Sequence, residues 1–267
     1  MKKPIVLTVE EDVKKLTVPN DLNSHITTHA YLYLQPHGWF NEFPVDEEGL
    51  TPWYTFPAIT FLKDIISNQF NVLEYGSGYS TLFYKPRVRN IITIEHDQVW
   101  ADKVLAENNN LDIRVITENS EVHPEALSVL DNFKHTYPQV RSQDYQHDLK
   151  HGLVNDEFAG YASIIYQAYP NFYDMIVIDG MARALCTVMA VESGRLKDDG
   201  IIILDNSDRW QYNSIQQYLH DKGYGRLDFW GPGWNNYNSW CTSFYSKNFK
   251  LNNNRLLRAE TGEFIVT

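Results

Sequence analysis

Four acidic residues stand where apolar runs of this chain end, and their spacing outlines a site. The run leading to Glu74 breaks into Tyr75, Gly76, Ser77, Gly78, Tyr79, Ser80 and Thr81. A second run, IITIEHD at 91–97, carries Glu95 21 residues beyond Glu74. YDMIVIDG at 173–180 ends on Asp179 and Gly180, and GIIILDNS at 200–207 ends on Asp205, Asn206 and Ser207. Glycines in the first turn let backbone approach a ligand closely, and the first amides of a following helix stay free to face it. An acid after the next strand accepts hydrogen bonds from ribose hydroxyls, the layout of a nucleotide-type site in a βαβ unit. The dinucleotide pattern would need glycine where Thr81 stands. Glu74 would repel an anionic ligand and attract a cationic one. Asp179, Asp205 and Asn206 offer two carboxylates and an amide oxygen, a hard oxygen set suited to Mg²⁺, Mn²⁺ or Ca²⁺.

These residues need a parallel sheet to bring them together. PAITFLKDIIS has proline at a helix start and apolar residues at Ile59, Leu62, Ile65 and Ile66. Strands are expected at about 70–75, 90–95 and 111–118, with Asp97 capping the helix QVWADKVLAENN. Residues 120 to about 170 form a polar insertion with helical pieces around PEALSVLDNF and FAGYASIIYQAY, longer than a crossover needs. Strands at 173–180 and 200–207 flank the helix ARALCTVMAVESGRL, which stops at KDDG. Near-continuous apolar runs separated by helices mark a parallel sheet buried on both faces. The helix QYNSIQQYLHDKG and the strands RLDFWG and SWCTSFYSK close it, with an aromatic, asparagine-rich loop expected at 231–239.

Composition sets the outer limits. At 267 residues with 43% hydrophobic and 14% aromatic residues, the chain can bury a full core. A formal net charge of -11 argues against nucleic acid as a partner. No apolar stretch approaches the length of a membrane span, and the start lacks a signal-peptide pattern, so a cytoplasmic protein is expected. Cys186 and Cys241, the two cysteines, are expected as buried free thiols. The first 56 residues differ from the rest, with His25, His29, His37 and aromatics such as Trp39, Trp53 and Tyr54. They read as an arm that either lids the pocket or packs on the sheet edge.

The run Glu74 to Ser80 resembles motif I of the class I S-adenosylmethionine-dependent methyltransferases, E/D-x-G-x-G-x-G, with Ser80 in place of the third glycine. The series of strands resembles their seven-stranded fold over about residues 57–247. The resemblance implies an α/β chain with a seven-stranded, mostly parallel Rossmann-like sheet and helices on both faces. An N-terminal arm would cover 1–56 and a tail 248–267. It implies S-adenosylmethionine as cofactor, with Glu74 anchoring its amino-acid end through the turn formed by Tyr75, Gly76, Ser77, Gly78, Ser80 and Thr81. Glu95 would hold the ribose with His96 beside it, Glu118 with Asn119 and Ser120 would lie near the adenine, and Asp179 would border the cofactor. An exposed loop is the alternative reading for Glu118.

The acid at 179 and the D-N pair 26 residues later resemble the metal triad of divalent-cation-dependent O-methyltransferases. This implies a metal on Asp179, Asp205 and Asn206, either Mg²⁺ or another divalent cation, and catalytic roles for Asp179 and Arg183. Those enzymes often carry Lys or His where this chain has Ala182, one residue before Arg183, a poor base but a good clamp. The alternative is that Asp179 caps the next helix while Asp205 and Asn206 shape a loop and line the pocket. The expected activity is methylation of an oxygen on a small-molecule acceptor. A metal-independent N- or O-methyltransferase and a noncatalytic binding domain of the same fold stand as alternatives. Neither nucleic acid nor membrane is an expected partner, and a homodimer is left open.

Overall fold

A computed structural model describes residues 45–46, 49–136, 156–209, 212–234 and 236–249. Most of the N-terminal arm and its three histidines, part of the insertion, and the tail beyond 249 lie outside the described residues. In chain order come β1 (Val45–Asp46), β2 (Gly49–Leu50), α1 (Phe56–Ile65), β3 (Asn71–Tyr75), α2 (Tyr79–Tyr84), β4 (Asn90–Glu95) and α3 (Gln98–Glu107). Then follow β5 (Asp112–Val115), α4 (Pro124–Thr136), α5 (Ala159–Ser163), β6 (Tyr173–Ile178), α6 (Arg183–Glu192), β7 (Leu196–Leu204), α7 (Asn213–Asp221), β8 (Gly225–Gly233) and β9 (Asn236–Ser246).

Seven strands make one sheet in the order β5-β4-β3-β6-β7-β9-β8. Pairing is parallel from β5 to β7 and antiparallel where β9 joins β7 and β8 joins β9. The fold is therefore a mostly parallel Rossmann-like α/β sheet closed by an antiparallel pair. The period of two along each strand divides the core. Leu73, Ile176, Ile178, Ile202 and Leu204 pack with residues of α4, α5, α6 and α7 on one face. Val72, Met175, Val177 and Ile203 pack with α1, Phe83, Tyr84 and the aromatic rings of Phe229 and Phe244 on the other. Among the described residues no helix is long and apolar enough to cross a membrane. Cys186 and Cys241 are buried free thiols.

Strand order reverses between β4-β3 and β6-β7, which opens the switch-point crevice at the carboxyl ends of β3 and β6. Backbone contact fixes its floor. A Cβ on Gly76 (φ +94°) would lie 2.7 Å from Gly180 Cα and N, and one on Gly180 would lie 2.3 Å from the Tyr161 hydroxyl and 2.7 Å from Gly76 N. Side chains do not fit at either position. Gly76 N donates to Ile94 O at 2.8 Å, and the Tyr161 hydroxyl donates to the same carbonyl at 3.1 Å.

The structure corrects several expected boundaries. The 231–239 stretch is a tight hairpin, with β8 running to Gly233 and β9 starting at Asn236. Pro232 is tolerated because β8 is the sheet's edge strand and the register shifts between Gly231 and Gly233. The helix after β6 ends at Glu192, where Gly194 (φ +67°) turns the chain, and KDDG belongs to β7 as a bulge between Leu196 and Ile201. The helix expected across 158–169 is broken into 3₁₀ turns around α5. The last residues before α1 are stitched to the hairpin, Thr55 N reaching Thr242 Oγ1 at 3.3 Å and Thr55 Oγ1 donating to Phe229 O at 2.9 Å.

Gly180→Ala is expected to destabilise the fold by about 1–3 kcal/mol, the usual cost of overpacking, because its Cβ meets backbone as well as a hydroxyl. Gly78→Ala, whose Cβ has nothing within 4 Å, is expected to fold like the parent. Paired thermal melts of the two variants check this; equal melting temperatures would show that the Gly76–Gly180 contact constrains nothing.

Candidate functional site

Glu74 and Glu95 both lie at strand ends and are nearly inaccessible to solvent, yet their surroundings drive them in opposite directions. Glu95 closes β4, and every donor near it points inward. Its Oε2 accepts from Ser77 N and Ser77 Oγ, each at 2.8 Å. Its Oε1 accepts from His96 N at 2.7 Å and Asp97 N at 3.0 Å. His96 Nδ1 lies 2.8 Å from the same oxygen, out of line for a hydrogen bond. Burial pushes the Glu95 carboxyl up, but the donors of His96, Asp97 and Ser77 outweigh it and hold the group down to about 2. The carboxylate therefore welds the glycine turn to β4.

Glu74, fully buried in β3, has no cation against it among the described residues. Its Oε2 accepts from Thr81 Oγ1 at 2.6 Å and Thr93 Oγ1 at 2.9 Å. Oε1 is buried with no hydrogen-bond partner, although the Ser80 hydroxyl is near enough to favour the charge. Burial dominates these hydroxyls, with Asp179 adding repulsion, and pushes the group up to about 7. The expected anchor for a ligand's amino-acid end is thus also a brace beneath the loop. Thr81 serves it twice, accepting from Gly78 N at 3.0 Å while donating to Glu74. Ser80 is buried beside it, and the Tyr75 ring turns to the other face, its hydroxyl donating to Ala162 O at 2.7 Å.

Beyond the glycine floor, Asp179 follows β6 with its side chain about a quarter exposed. Arg183, the first residue of α6, is 9% exposed and fans across two strand ends. Nε donates to Gly180 O at 3.1 Å, Nη1 to Asp205 O at 2.7 Å and Asn206 Oδ1 at 3.2 Å, and Nη2 to Asp179 O and Oδ1, both at 2.9 Å. The guanidinium thereby makes four hydrogen bonds and an ion pair. Arg209 Nη2 also donates to Asn206 Oδ1 at 3.1 Å. Asp205 Oδ1 accepts from Trp240 Nε1 at 3.1 Å and from Thr242 Oγ1. Burial first, and Asp179 second, push Asp205 up to about 7. Asp179 is also raised by burial, and Arg183 and Arg209 oppose that rise.

This geometry tests the expected metal. Asp179 and Asn206 present their oxygens to a guanidinium, and the Asp205 carboxylate is engaged by the β9 residues Trp240 and Thr242. The three residues do come together as the sequence predicts, but their arrangement does not fit a cation. The donors of Arg183 hold the protein's own strand ends. Ala182, at the position where a base was sought, is fully buried in a left-handed turn (φ 47°).

Glu118 follows the third parallel strand, as expected. β5 ends at Val115, Glu118 is exposed, and Asn119 (φ 59°) is held by its amide to Glu157 O at 2.7 Å. Sequence reading missed Trp100, whose Nε1 donates to Ser77 O at 2.7 Å. It stands two residues into α3 behind the Asp97 cap, which accepts from Val99 N and Trp100 N as expected. Trp100 and Gly78 also line a groove of about 330 Å³ between α2 and α3. Thr93, Trp240 and Thr242 were missed as well, since a hydroxyl or indole inside a strand carries no spacing signal.

No family model and no curated protein matches the sequence. Among solved structures, a methyltransferase-like protein from Silicibacter pomeroyi is 17% identical at a TM-score of 0.36, covering 70% of this chain and 82% of its own. A precorrin-6y C5,15-methyltransferase from Geobacter metallireducens is 13% identical at 0.45, covering 78% and 95%. An O-methyltransferase from Bacillus cereus, solved in complex with SAH, is 15% identical at 0.42, covering 88% and 96%. At such identities and TM-scores these likenesses assign no activity and no substrate to this chain.

The two buried acids make stability depend on pH in a defined direction. Glu74 and Asp205, raised from 4.5 and 3.8 to about 7, contribute stability that is fully present below their unfolded values and lost as pH rises through 7. Glu95, depressed to about 2, contributes stability present above 4.5 and lost only as pH falls toward 2. The ligand-free protein is expected to melt at lower temperature at pH 8 than at pH 5.5, and Glu74→Gln to shrink that difference. A melting temperature flat across this window in both proteins would contradict the assignment.

Proposed function

We propose that the chain is an S-adenosylmethionine-dependent methyltransferase that moves a methyl group to an oxygen of a small molecule. The observation that carries this reading is the glycine turn at the β3–β6 switch point, bonded through Ser77 to the buried carboxylate of Glu95. The Ser77 hydroxyl marks where a ribose hydroxyl can exchange onto Oε2. Glu74 and Asp179 flank the same turn, so the crevice favours a cationic ligand over a dinucleotide phosphate. S-adenosylmethionine supplies an electrophilic methyl group on a sulfonium.

The chain's own part is alignment and proton removal. Asp179 spends Oδ1 on Arg183, which leaves Oδ2 for the acceptor hydroxyl at the open side of the crevice. Partial burial makes it a stronger base than an exposed aspartate. As the methyl group is transferred, the acceptor proton passes to Asp179 and a neutral thioether remains. Arg183 keeps the carboxylate in place, and the Gly76–Gly180 contact sets the depth of the ligand. Such positioning supplies much of the rate in a direct displacement.

Calorimetry with S-adenosylmethionine and S-adenosylhomocysteine tests the cofactor. Wild type is expected to bind both, and Glu95→Ala to weaken binding by about 2–3 kcal/mol, the worth of charge-assisted hydrogen bonds. Absence of heat and of any thermal shift with both ligands would end the reading. Asp179→Asn is expected to keep cofactor binding and lose methyl transfer to acceptors found with a labelled methyl donor; full turnover in that variant would remove Asp179 as the base.

A further inference from the structure

We infer that Arg183 and Arg209 together occupy, as tethered charges, the position a divalent cation would take among Asp179, Asp205 and Asn206, so that this site takes up no metal. The proposal rests on the methyl-transfer reading only for its activity measurement.

Charge and donor geometry both lead there. Asp179 and Asp205 place two carboxyl groups at neighbouring strand ends, a set that a divalent ion would balance. Guanidinium groups stand at Asp179 Oδ1 and Asn206 Oδ1 instead, and Arg183 also bonds the Asp205 carbonyl. Asn206 Oδ1 accepts from Arg183 Nη1 at 3.2 Å and Arg209 Nη2 at 3.1 Å, and Asp179 Oδ1 accepts from Arg183 Nη2 at 2.9 Å. Asn206 holds its amide there from a left-handed backbone (φ 52°), a conformation asparagine tolerates better than most residues. Arg183 is anchored by three backbone carbonyls as well, so its head group is built into the floor. Hard-cation bonds to oxygen run about 2.0–2.6 Å. An ion bonding Asp179 Oδ1 and Asn206 Oδ1 would have to expel a buried guanidinium from both of those partners. Asp205 contributes Oδ1 to Trp240 and Thr242, which fixes its carboxylate against β9. The arginines thus do the charge balancing and leave Asp179 Oδ2 as the group that meets the acceptor.

The test is Mn²⁺ titration of the full chain, followed by electron paramagnetic resonance and by thermal melting. Wild type is expected to take up no Mn²⁺ at millimolar concentration and to show no Mn²⁺-dependent shift. Arg183→Met, which removes the charge at similar volume, is expected to bind Mn²⁺ and to melt higher in its presence. Arg183→Met combined with Asp179→Asn is expected to lose that uptake, and added guanidinium to compete with it. A folded Arg183→Met that binds no Mn²⁺ would overturn the proposal. So would wild-type uptake abolished by Asp205→Asn. If circular dichroism shows Arg183→Met unfolded, the wild-type titration decides: uptake at this site refutes the proposal, and its absence, with methyl transfer unchanged by EDTA, supports it. Cofactor heats measured on the same samples separate failure here from failure of the methyltransferase reading.

Discussion

The whole site hangs on one backbone contact, Gly76 against Gly180. It joins the carboxyl ends of β3 and β6 where strand order reverses, closer than any side chain would permit. Ile94 O completes the junction by accepting from Gly76 N and from the Tyr161 hydroxyl. The ends of β3 and β4 and the α5 tyrosine therefore meet at a single carbonyl. The Ser77 bonds to Glu95 then follow directly, because the turn has nowhere else to go. A ligand entering the crevice meets a floor set by backbone, which neighbouring rotamers do not move.

Charge is handled by a different device on each side of that floor. On the β4 side a carboxylate is stabilised by hydrogen bonds from the glycine turn and the start of α3, so it stays ionised. On the β6–β7 side Asp179 pairs with Arg183, Asn206 accepts from Arg183 and Arg209, and the Asp205 carboxyl is held by Trp240 and Thr242. Below the turn, Glu74 receives only neutral hydroxyls. The separation is physical: the donors that point at Glu95 are the amides of Ser77, His96 and Asp97 and the Ser77 hydroxyl, whereas Arg183 reaches Asp179 from one turn of helix away. Left-handed backbone at Ala182 and Asn206 is the local strain that accompanies this arrangement. Conformations of this kind persist where surrounding structure over-determines them.

Much of this was legible in the sequence because it rests on period and punctuation. The apolar runs ending in Glu74, Glu95, Asp179 and Asp205 gave the strands and their functional ends, and Asp97 announced α3. What escaped is long-range. Nothing in KDDG says that it bulges within β7, and an asparagine-rich stretch reads as loop even where an edge strand accepts Pro232. The triad of Asp179, Asp205 and Asn206 was visible by spacing, but its chemistry turns on Arg183 reaching back across two strand ends. Direction of a side chain is not written in spacing. Trp100 and Thr242 were silent for the same reason, since their partners lie 23 and 37 residues away in the chain.

Glu74 shows why the ligand's charge matters to the fold as well as to binding. A fully buried carboxyl group with one oxygen unpartnered is costly when ionised, and at neutral pH this one stands near its midpoint. Asp179 adds repulsion across the same space, and Arg183 is already committed to Asp179. Protonation relieves the cost in the empty crevice, and a cation arriving from outside would balance the ionised form. A sulfonium ligand with an ammonium group does so, and its neutral thioether product carries one positive charge less. On the proposed reading, the field that would favour a sulfonium methyl donor weakens on its neutral thioether product. The buried acid that braces the glycine turn would then bias the crevice toward the charged ligand over the neutral one.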